Sequence, residues 1–418
     1  MEPSVFPAAL VRHGSAVLAG DRQMNVQVPA ISALDNRRRA EDAASNGANT
    51  VEHATGSAHT TDNTAGDGQG VQFRERYVSA YTDLRRQITA SGLLKRRYGY
   101  YWTKITITVA LFAGVWVAFA FLGNSWFQLV LAALLAVILT QFGFLGHDGA
   151  HRQIFNSHAW NEWASRIMSG LFTGLSYGWW HNKHNRHHAN PNKEGADPDI
   201  GPGAFAFTPA VAQARRGLAA RLTPRQGYYF FPLLLLEGLA LHVASIQTLI
   251  SRRSLKHRWW EATFVATRLG GYITVLLLVL PPGKAAAFFG VQMGLFGLLL
   301  GGAFAPNHIG MPIVPRNEKV DFLRRQVLMS RNVRGGRFIG FALGGLNHQI
   351  EHHLFPNMPR PNLRRAVPIV RDYCARHKVG YTETGLFEAY GVVVRYLNKV
   401  GTARVDAFRC PLVEQYRL

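Results

Sequence analysis

The sequence predicts an all-α membrane protein with four transmembrane helices, arranged as two hairpins, and a cytoplasmic helical cap that carries a histidine-rich site for two metals. Three observations support this prediction. Apolar residues make up 48% of the 418-residue chain and are concentrated in runs long enough to cross a bilayer. Basic residues flank these runs. Three clusters of histidines lie outside the runs.

The chain begins with a stretch that has no pattern of a folded domain. Residues 1–72 are rich in Ala, Gly, Asn, Thr and Asp, so we expect a disordered tail that cannot bury enough apolar surface to offset its ordering entropy. Polar residues interrupt its first apolar patch, which argues against a signal peptide and for a cytoplasmic N-terminus. Residues 73–400 are expected to form the membrane domain, beginning with an amphipathic helix over 73–101, and residues 401–418 a C-terminal tail.

Two transmembrane hairpins are predicted. The apolar runs of the first cover residues 105–122 and 126–146, and those of the second cover 262–280 and 285–305. Each run has about 20 residues, enough at about 1.5 Å per residue to cross a hydrocarbon core of about 30 Å. Lys and Arg precede and follow both hairpins, so we place the histidine clusters and both termini on the cytoplasmic side. Arg268, inside the third run, must snorkel or face a polar partner.

Two further stretches are apolar but are not expected to cross the membrane. Three candidate spans separate the second histidine cluster from the third, and clusters that form one site require an even number of crossings between them. The run of residues 228–250 carries Glu237 and His242 near its middle, which is costly in lipid, so we assign it to the membrane interface. Residues 162–180, with Arg166 near their start, are likewise predicted to form an interfacial helix.

The formal net charge of +21 raises the question of a nucleic-acid partner. The chain shows no recognition motif, and its Lys and Arg residues flank apolar runs instead of lining one helix or ribbon. We therefore expect no nucleic acid, and contact with anionic membrane lipid explains the charge better. The two cysteines, Cys374 and Cys410, form neither a disulfide framework nor a cysteine-rich metal site.

Three histidine clusters carry the chemistry. They are His147-Asp-Gly-Ala-His151, His184-Asn-Arg-His187-His188 and Gln349-Ile-Glu-His352-His353. Residues three and four apart share one face of a helix, so each cluster directs its imidazoles to one point. Imidazole suits iron, zinc or copper, and one metal in an open site rarely takes more than about four protein ligands. Seven histidines therefore indicate two metals rather than scattered side chains on solvated helix ends.

The clusters resemble the three histidine boxes of the integral-membrane fatty acid desaturases, H-D-x-x-H, H-x-x-H-H and Q-x-x-H-H. Similar flanking residues are Trp179-Trp180, Lys183-His184-Asn185 and Asn190-Pro191-Asn192 around the second box, and residues 358–363 after the third. The similarity covers residues 75–400. Gln349, which opens the third box, resembles the front-end branch, whose members insert a double bond between an existing one and the carboxyl end of an acyl chain.

The resemblance implies a diiron site. Its ligands would be the seven box histidines, His147, His151, His184, His187, His188, His352 and His353. An eighth ligand, His308, is carried over from its position at the cytoplasmic end of the fourth run, where helix-end capping is the alternative role. Gln349 stands where other branches have a ligand histidine, and it could bind metal, act through a water or only shape the pocket. His348, His181 and His158 are expected outside the ligand set.

Metal-bound imidazoles need a partner on the second ring nitrogen. The nearest acidic candidates are Asp148, Asp197, Asp199 and Glu351, each of which could equally be a solvated loop acid. Lys183 and Arg186 could neutralise an anionic substrate head group or an acidic electron donor.

The resemblance also implies the reaction. An unactivated methylene C–H bond has no acidic proton, so acid–base catalysis cannot break it, whereas a metal centre that activates O2 can abstract hydrogen atoms. The substrate would be an acyl-CoA or an acyl lipid, and each turnover would need two external electrons. The chain contains no His-Pro-Gly-Gly motif of a fused cytochrome b5 domain, so we expect a separate ferredoxin or flavin-linked reductase as the electron donor.

Two other functions stay open at this point. Histidine-box diiron sites also hydroxylate their substrates, so a membrane fatty acid hydroxylase or related oxygenase is the nearest alternative. A metal-handling membrane transporter is more remote, because it would place ionisable residues near the bilayer midplane and use paired broken helices.

Overall fold

The computed structural model describes residues 80–251 and 255–403. The predicted N-terminal tail lies outside these residues, as does nearly all of the predicted C-terminal tail. In chain order the helices are α1 (80–90), α2 (Tyr98–Leu122), α3 (Gln128–Ala150), α4 (His158–Arg166), α5 (Tyr177–Ala189), α6 (Pro209–Ala214), α7 (Gly217–Leu222), α8 (Gln226–Leu234), α9 (Glu237–Ile250), α10 (Arg258–Val279), α11 (Pro282–His308), α12 (Phe322–Leu328), α13 (Arg337–Ala342), α14 (Gln349–Leu354), α15 (Arg360–Arg376) and α16 (Leu386–Gly401). A π-helical turn covers Ile167–Thr173, and short 3-10 turns lie at Pro198–Ile200, Thr223–Arg225 and Leu346–His348. Strands β1 (Asn332–Arg334) and β2 (Glu383–Gly385) pair in parallel.

Within residues 80–251 and 255–403, four single helices are long and apolar enough to cross a membrane, namely α2, α3, α10 and α11. Each coincides with one of the four predicted apolar runs, so the prediction of four spans is confirmed. Helices α3 and α11 pack against each other, and at least half of each apolar segment is buried, compared with about a fifth for α2 and α10. The chain is therefore a membrane protein in which α3 and α11 form the centre of the bundle.

The stretch of residues 228–250, which we assigned to the membrane interface, is divided into two helices. It forms α8 and α9, which meet at a bend of 80°. Pro232 lies inside α8 and cannot donate a backbone hydrogen bond there. On the far side of the bend, α9 packs closely against α11 because Gly238 approaches the Met293 carbonyl with no room for a Cβ atom. Helix α9 therefore packs on the bundle through its contact with α11.

The predicted interfacial helix over residues 162–180 is also interrupted. The π-helical turn follows α4 and ends at Gly174, whose φ of 80° is left-handed and is readily adopted only by glycine. Helix α5 begins afresh after Ser176, whose side chain accepts a hydrogen bond from the backbone N–H of Trp179. The π-helical turn itself packs between α3 and α10. The chain thus enters the bundle before the second histidine box begins.

Arg268 in α10 faces a polar partner, which was one of its two predicted outcomes. Its Nε donates a hydrogen bond of 2.7 Å to the carbonyl of Phe172 in the π-helical turn. Its guanidinium also lies 4.5 Å from the ring centre of Tyr272, a favourable cation–π distance. The side chain is buried, so these contacts hold α10 against the turn that precedes the second box.

The cap is built from α1 and the helices after α11. Leu84 and Ile88 of α1 are buried in one apolar core with residues of α12, α14 and α15. The predicted amphipathic helix over 73–101 is therefore shorter, because the chain turns between α1 and α2 at Gly92, whose φ is 70°. Helix α16 packs on α8 and α11. The third histidine box, on α14, is thereby held beneath the ends of the spans.

Candidate metal centre

Four separate segments supply the predicted histidine ligands. The first box lies at the end of α3, with His147 in its last turn and His151 directly after it. Helix α5 carries the second box, His308 is the last residue of α11, and α14 carries His352 and His353. Long stretches of chain separate these segments, so only tertiary packing can bring them together.

The eight imidazoles form two groups in which the ligand-capable atoms lie within 4.8 Å of one another. The first group contains His147, His151, His184, His188 and His352, and the second contains His187, His308 and His353. The rings of His188 and His353 stack with their centres 4.2 Å apart and join the groups. The structure thus places every predicted histidine ligand in one connected cluster.

The donor atoms of the cluster suit metal ions. The Nε2 atoms of His147, His352 and His353 are buried and have no hydrogen-bond partner within the residues that the structure describes. The Nε2 of His184 lies 2.9 Å from that of His151 and 3.0 Å from that of His188, and one N–H cannot serve both contacts. Such separations are expected of nitrogens that each lie about 2.1 Å from a shared ion.

Burial keeps most of these imidazoles neutral. It lowers the pKa of five histidines, which are His151, His184, His188, His352 and His353. The positive charge that each would carry also repels its neighbours in the cluster. A neutral imidazole keeps one nitrogen lone pair free for a metal. The environment therefore favours the form of histidine that binds metal.

His187 differs because two carboxylates face it. Its Nδ1 lies 3.0 Å from Asp197 and 3.4 Å from Asp199. Burial by itself lowers the pKa of His187, but the two acids outweigh burial and raise the pKa to about 9. Asp197 is held in place by the backbone N–H groups of Asn192 and Asp199. An anchored carboxylate on Nδ1 leaves Nε2 to face the cluster, as outer partners of metal-bound histidines do.

The main partners of Asp148 and Glu351 are residues outside the histidine cluster. Asp148 lies 3.7 Å from His147 Nδ1 but only 2.6 Å from the guanidinium of Arg360. The carboxylate of Glu351 accepts hydrogen bonds from Asn332 and the Tyr381 hydroxyl. Burial raises the pKa of Glu351 to about 7. These acids tie the helices of the cluster to their surroundings.

Two histidines have partners that sequence reasoning missed. The Oε1 of Gln326 in α12 lies 2.9 Å from His353 Nδ1. The Nε2 of Gln326 donates a hydrogen bond to the backbone carbonyl of His188. The backbone carbonyl of Met329 lies 2.9 Å from His308 Nδ1. Neither partner belongs to a motif, since a glutamine and a main-chain carbonyl give no signal in a single sequence.

Gln349 adjoins the second group. Its Nε2 lies 2.9 Å from the Nε2 of His308, and its Oε1 is buried without a hydrogen-bond partner among the described residues. An amide oxygen in this setting suits a metal or a water bound to it. The structure thus brings Gln349 to the cluster, and its three predicted roles stay open.

Neither group contains His348, His181 or His158. His348 contacts Asn347, His181 contacts Asn185, and His158 lies 3.8 Å from Glu162. The two basic side chains of the second box also differ from each other. Lys183 is buried and lies 3.1 Å from Asp199, so it serves an internal ion pair, whereas Arg186 is exposed.

Glu261 of α10 fixes the start of the helix that carries the second box. It accepts hydrogen bonds from the Ser176 hydroxyl and from the backbone N–H of Gly178. Arg166, which is fully buried, lies 3.1 Å from Glu261 and 2.9 Å from Glu162. An acid at a helix N-terminus satisfies free N–H groups and complements the helix dipole. This network sets the position of α5 relative to the spans.

Two cavities meet beside the histidines. The outer cavity is lined by His184, His187, His308 and Gln349 and by residues after the spans such as Ile313 and Tyr396. The inner cavity is lined by His147 and by residues of α3, α9 and α11. Trp180 and Phe304 line both. Both cavities border the histidine cluster and have mainly apolar walls, which suits an apolar occupant.

Comparisons with known proteins agree with this geometry. A family model described as fatty acid desaturase matches residues 124–385. A Delta(6)-fatty-acid desaturase of Caenorhabditis elegans is 30% identical over 346 residues, 79% of this chain and 76% of that protein. An acyl-lipid (9-3)-desaturase of Physcomitrium patens is 29% identical over 82% of this chain and 66% of its own length. Fatty acid desaturase 3 of Bos taurus is 30% identical over 79% of this chain and 75% of its own length.

Proposed function

Because the chain belongs to the fatty acid desaturase family, we propose that it is a front-end desaturase, which adds a cis double bond between an existing one and the carboxyl end of an acyl chain. The reaction removes two hydrogen atoms from neighbouring methylenes, and O2, two electrons and two protons complete it to give two waters. The observation that carries this proposal is the cluster of eight histidines at the junction of two cavities.

Two iron ions would occupy the cluster. His147, His151, His184, His188 and His352 would hold one, and His187, His308 and His353 the other, with Gln349 beside the second. Bound iron would supply the activation of O2 that unactivated C–H bonds require. Asp197 and Gln326 orient His187 and His353 through their Nδ1 atoms, which keeps the Nε2 atoms directed into the site.

The cavities would position the acyl chain. Residues outside the spans border the outer cavity, whereas the inner cavity lies among the spans. A polar head group is costly among membrane helices, so the CoA or lipid head group belongs on the side of the outer cavity. Trp180 and Phe304, which line both cavities, would face the carbon pair that reacts.

The proposed domain organisation is a tail over residues 1–72, a desaturase domain over 73–400 and a tail over 401–418. The basic residues that flank both hairpins support a cytoplasmic position for the site and both termini. A separate ferredoxin or flavin-linked reductase would dock there and supply the electrons. Anionic lipid, rather than nucleic acid, would neutralise the positive charge.

Product analysis tests the proposal. Cells that express the chain with a ferredoxin system would be fed oleate and linoleate, and total fatty acids would be analysed by gas chromatography–mass spectrometry beside a His352→Ala control. We expect a new double bond on the carboxyl side of the existing ones, absent from the control. A hydroxylated product would favour the related oxygenases, and unchanged fatty acids in cells whose purified protein holds no iron would refute the proposal.

A further inference from the structure

The carboxyl group of Glu237 is buried without a partner. Glu237 begins α9 and is 1% exposed, and neither of its side-chain oxygens has a hydrogen-bond partner within residues 80–251 and 255–403. Lys183 shares the same cavity wall, but it is paired with Asp199 at 3.1 Å. The position is therefore unlike that of Glu261 or Glu351, whose oxygens are all engaged by donors.

The burial determines the form of the acid. An ionised carboxylate without a partner in apolar surroundings costs so much free energy that the group takes up a proton instead. The neutral acid then carries an O–H donor, and an unsatisfied buried donor still costs free energy. Glu237 therefore needs an acceptor from whatever occupies the space in front of it.

That space is the inner cavity. Glu237 lines it together with apolar side chains such as Leu241 and Leu300. Trp179 lines the same cavity, and its indole N–H is also buried without a partner in the described part of the chain. Two donors thus border a cavity whose walls are mainly apolar. An occupant with a weak acceptor would fit better than a fully saturated hydrocarbon chain.

The proposed function supplies such an acceptor. If the head group lies on the side of the outer cavity, the part of the chain beyond the reacting carbons lies in the inner cavity. In front-end desaturation that part already contains a double bond. The π electrons of a double bond accept weak hydrogen bonds, whereas a methylene group accepts none.

We propose that Glu237 selects acyl chains that already carry a double bond, by donating the hydrogen bond of its neutral acid to the π electrons of that bond in the inner cavity. The Trp179 N–H is the second donor at this site. This inference rests on the proposed function, and it adds a residue that determines which chains are accepted. A saturated chain fits the same space but leaves both donors unsatisfied.

Three variants separate the hydrogen bond from the shape of the cavity. Glu237→Leu removes the donor at similar volume, and Glu237→Gln keeps an N–H donor. Leu241→Met changes an apolar residue of the same helix and cavity without changing polarity. Replacing an unpartnered polar group by an apolar one does not weaken the fold, so Glu237→Leu should melt at the wild-type temperature or above.

The measurement is competitive binding. Oleate and stearate, which share length and head group, would each displace a fluorescent fatty acid from the purified iron-loaded protein in detergent. We expect the preference for oleate to fall about two- to fivefold in Glu237→Leu and to persist in Glu237→Gln and Leu241→Met. An unchanged preference in Glu237→Leu would overturn the inference and leave the carboxyl as the partner of a buried water. A wild type that binds neither oleate nor stearate would also overturn the inference.

The outcomes are distinct from those of the product assay. If the wild type makes carboxyl-side double bonds and Glu237→Leu prefers oleate as strongly as the wild type does, the proposed function stands and this inference fails. A wild type that makes no such double bonds loses the proposed function, whatever the binding ratios are.

Discussion

The carboxylate of Asp148 lies 2.6 Å from the guanidinium of Arg360. Asp148 follows His147 in the first histidine box, and Arg360 begins α15, just after the third box. Arg360 also donates a hydrogen bond of 2.7 Å to the carbonyl of Phe144 in α3. Both charged side chains are buried. This ion pair therefore joins the end of one span to the cap that carries the last two histidines.

Weakening this pair should loosen the site. Breaking a buried ion pair costs about 3–5 kcal/mol, and lysine does not reproduce the forked contacts of arginine. We expect Arg360→Lys to lower the melting temperature of the purified protein and its iron content. Arg371→Lys is the matched control, since Arg371 is a partly exposed residue of the same helix that pairs with Glu383. Equal melting temperatures for the two variants would contradict this role.

Asp197 should strengthen metal binding through His187. Its carboxylate accepts the Nδ1 proton at 3.0 Å, and removal of such a partner usually costs about 10- to 100-fold in metal affinity. We expect Asp197→Asn to weaken iron binding by that factor, measured by competition with a chelator. Asp372→Asn, at an exposed position, should bind iron as the wild type does. A wild-type affinity in Asp197→Asn would show that the contact is only structural.

His308 should be a ligand and His181 should not. His308 Nε2 lies 3.3 Å from His187 Nε2, whereas His181 contacts Asn185. We expect His308→Ala to bind less than two irons per chain and to lose desaturation, and His181→Ala to keep both. Iron would be quantified by mass spectrometry of the purified proteins. Removing the iron from the wild type should also lower its melting temperature, because the ions bind the folded site. Full iron content in His308→Ala would show that His308 is not a ligand and only caps the end of α11.

Acid should destabilise the fold in part through Glu162. Burial tends to raise the pKa of Glu162, but hydrogen bonds to Lys256 and Arg166 outweigh it and lower the pKa to about 2. Because the folded value is below the ordinary one, the stabilisation is complete above about pH 5 and is lost as the pH falls towards 2. We expect the difference in melting temperature between wild type and Glu162→Gln to shrink as the pH falls from 6 to 3. A constant difference would contradict the pairing.

A methyl group in the inner cavity should change the accepted chain length. Gly143 of α3 lines this cavity, and an added Cβ would lie at an ordinary 3.5 Å from Leu300. We expect Gly143→Ala to fold well, because the added contact is ordinary, and to disfavour longer acyl chains relative to shorter ones about fivefold, because the methyl group takes up space in the cavity. Gly114→Ala, where a Cβ in α2 meets nothing within 4 Å, should leave the product profile unchanged. The profiles of both variants would be compared with mixed-chain feeding, and identical profiles would mean that the chain does not pass Gly143.

The features that sequence reasoning predicted are local ones. Each span is a property of one continuous apolar run, so all four were found. The faces of the histidine boxes depend only on helical spacing, and the structure indeed gathers them at one place. His308 required the resemblance to a known family, because a single histidine after an apolar run has no periodic signal.

The features that it missed depend on distant contacts. The packing of α9 against α11 depends on the close approach of Gly238 to the Met293 carbonyl, which no local pattern predicts. Arg360 contacts Asp148, which lies 212 positions earlier in the sequence. The surroundings of Glu237 are formed by the other segments that line the inner cavity. Glu351 was expected either to be a partner of a metal-bound histidine or to be a solvated loop acid. It adjoins His352 in sequence, but neighbours on a helix point about 100° apart, and its carboxylate meets Asn332 and Tyr381 instead.

The order of the histidines along the chain also affects how the protein matures. The first of the clustered imidazoles is His147 and the last is His353, and the cap that holds the last pair depends on α15, which ends at Arg376. Synthesis proceeds from the N-terminus, and earlier segments fold first. A nascent chain that has inserted all four spans still lacks part of both groups. Loading of the proposed irons would therefore be a late step of biogenesis, and a chain that terminates before the third box would be inserted in the membrane but would lack part of each proposed metal site.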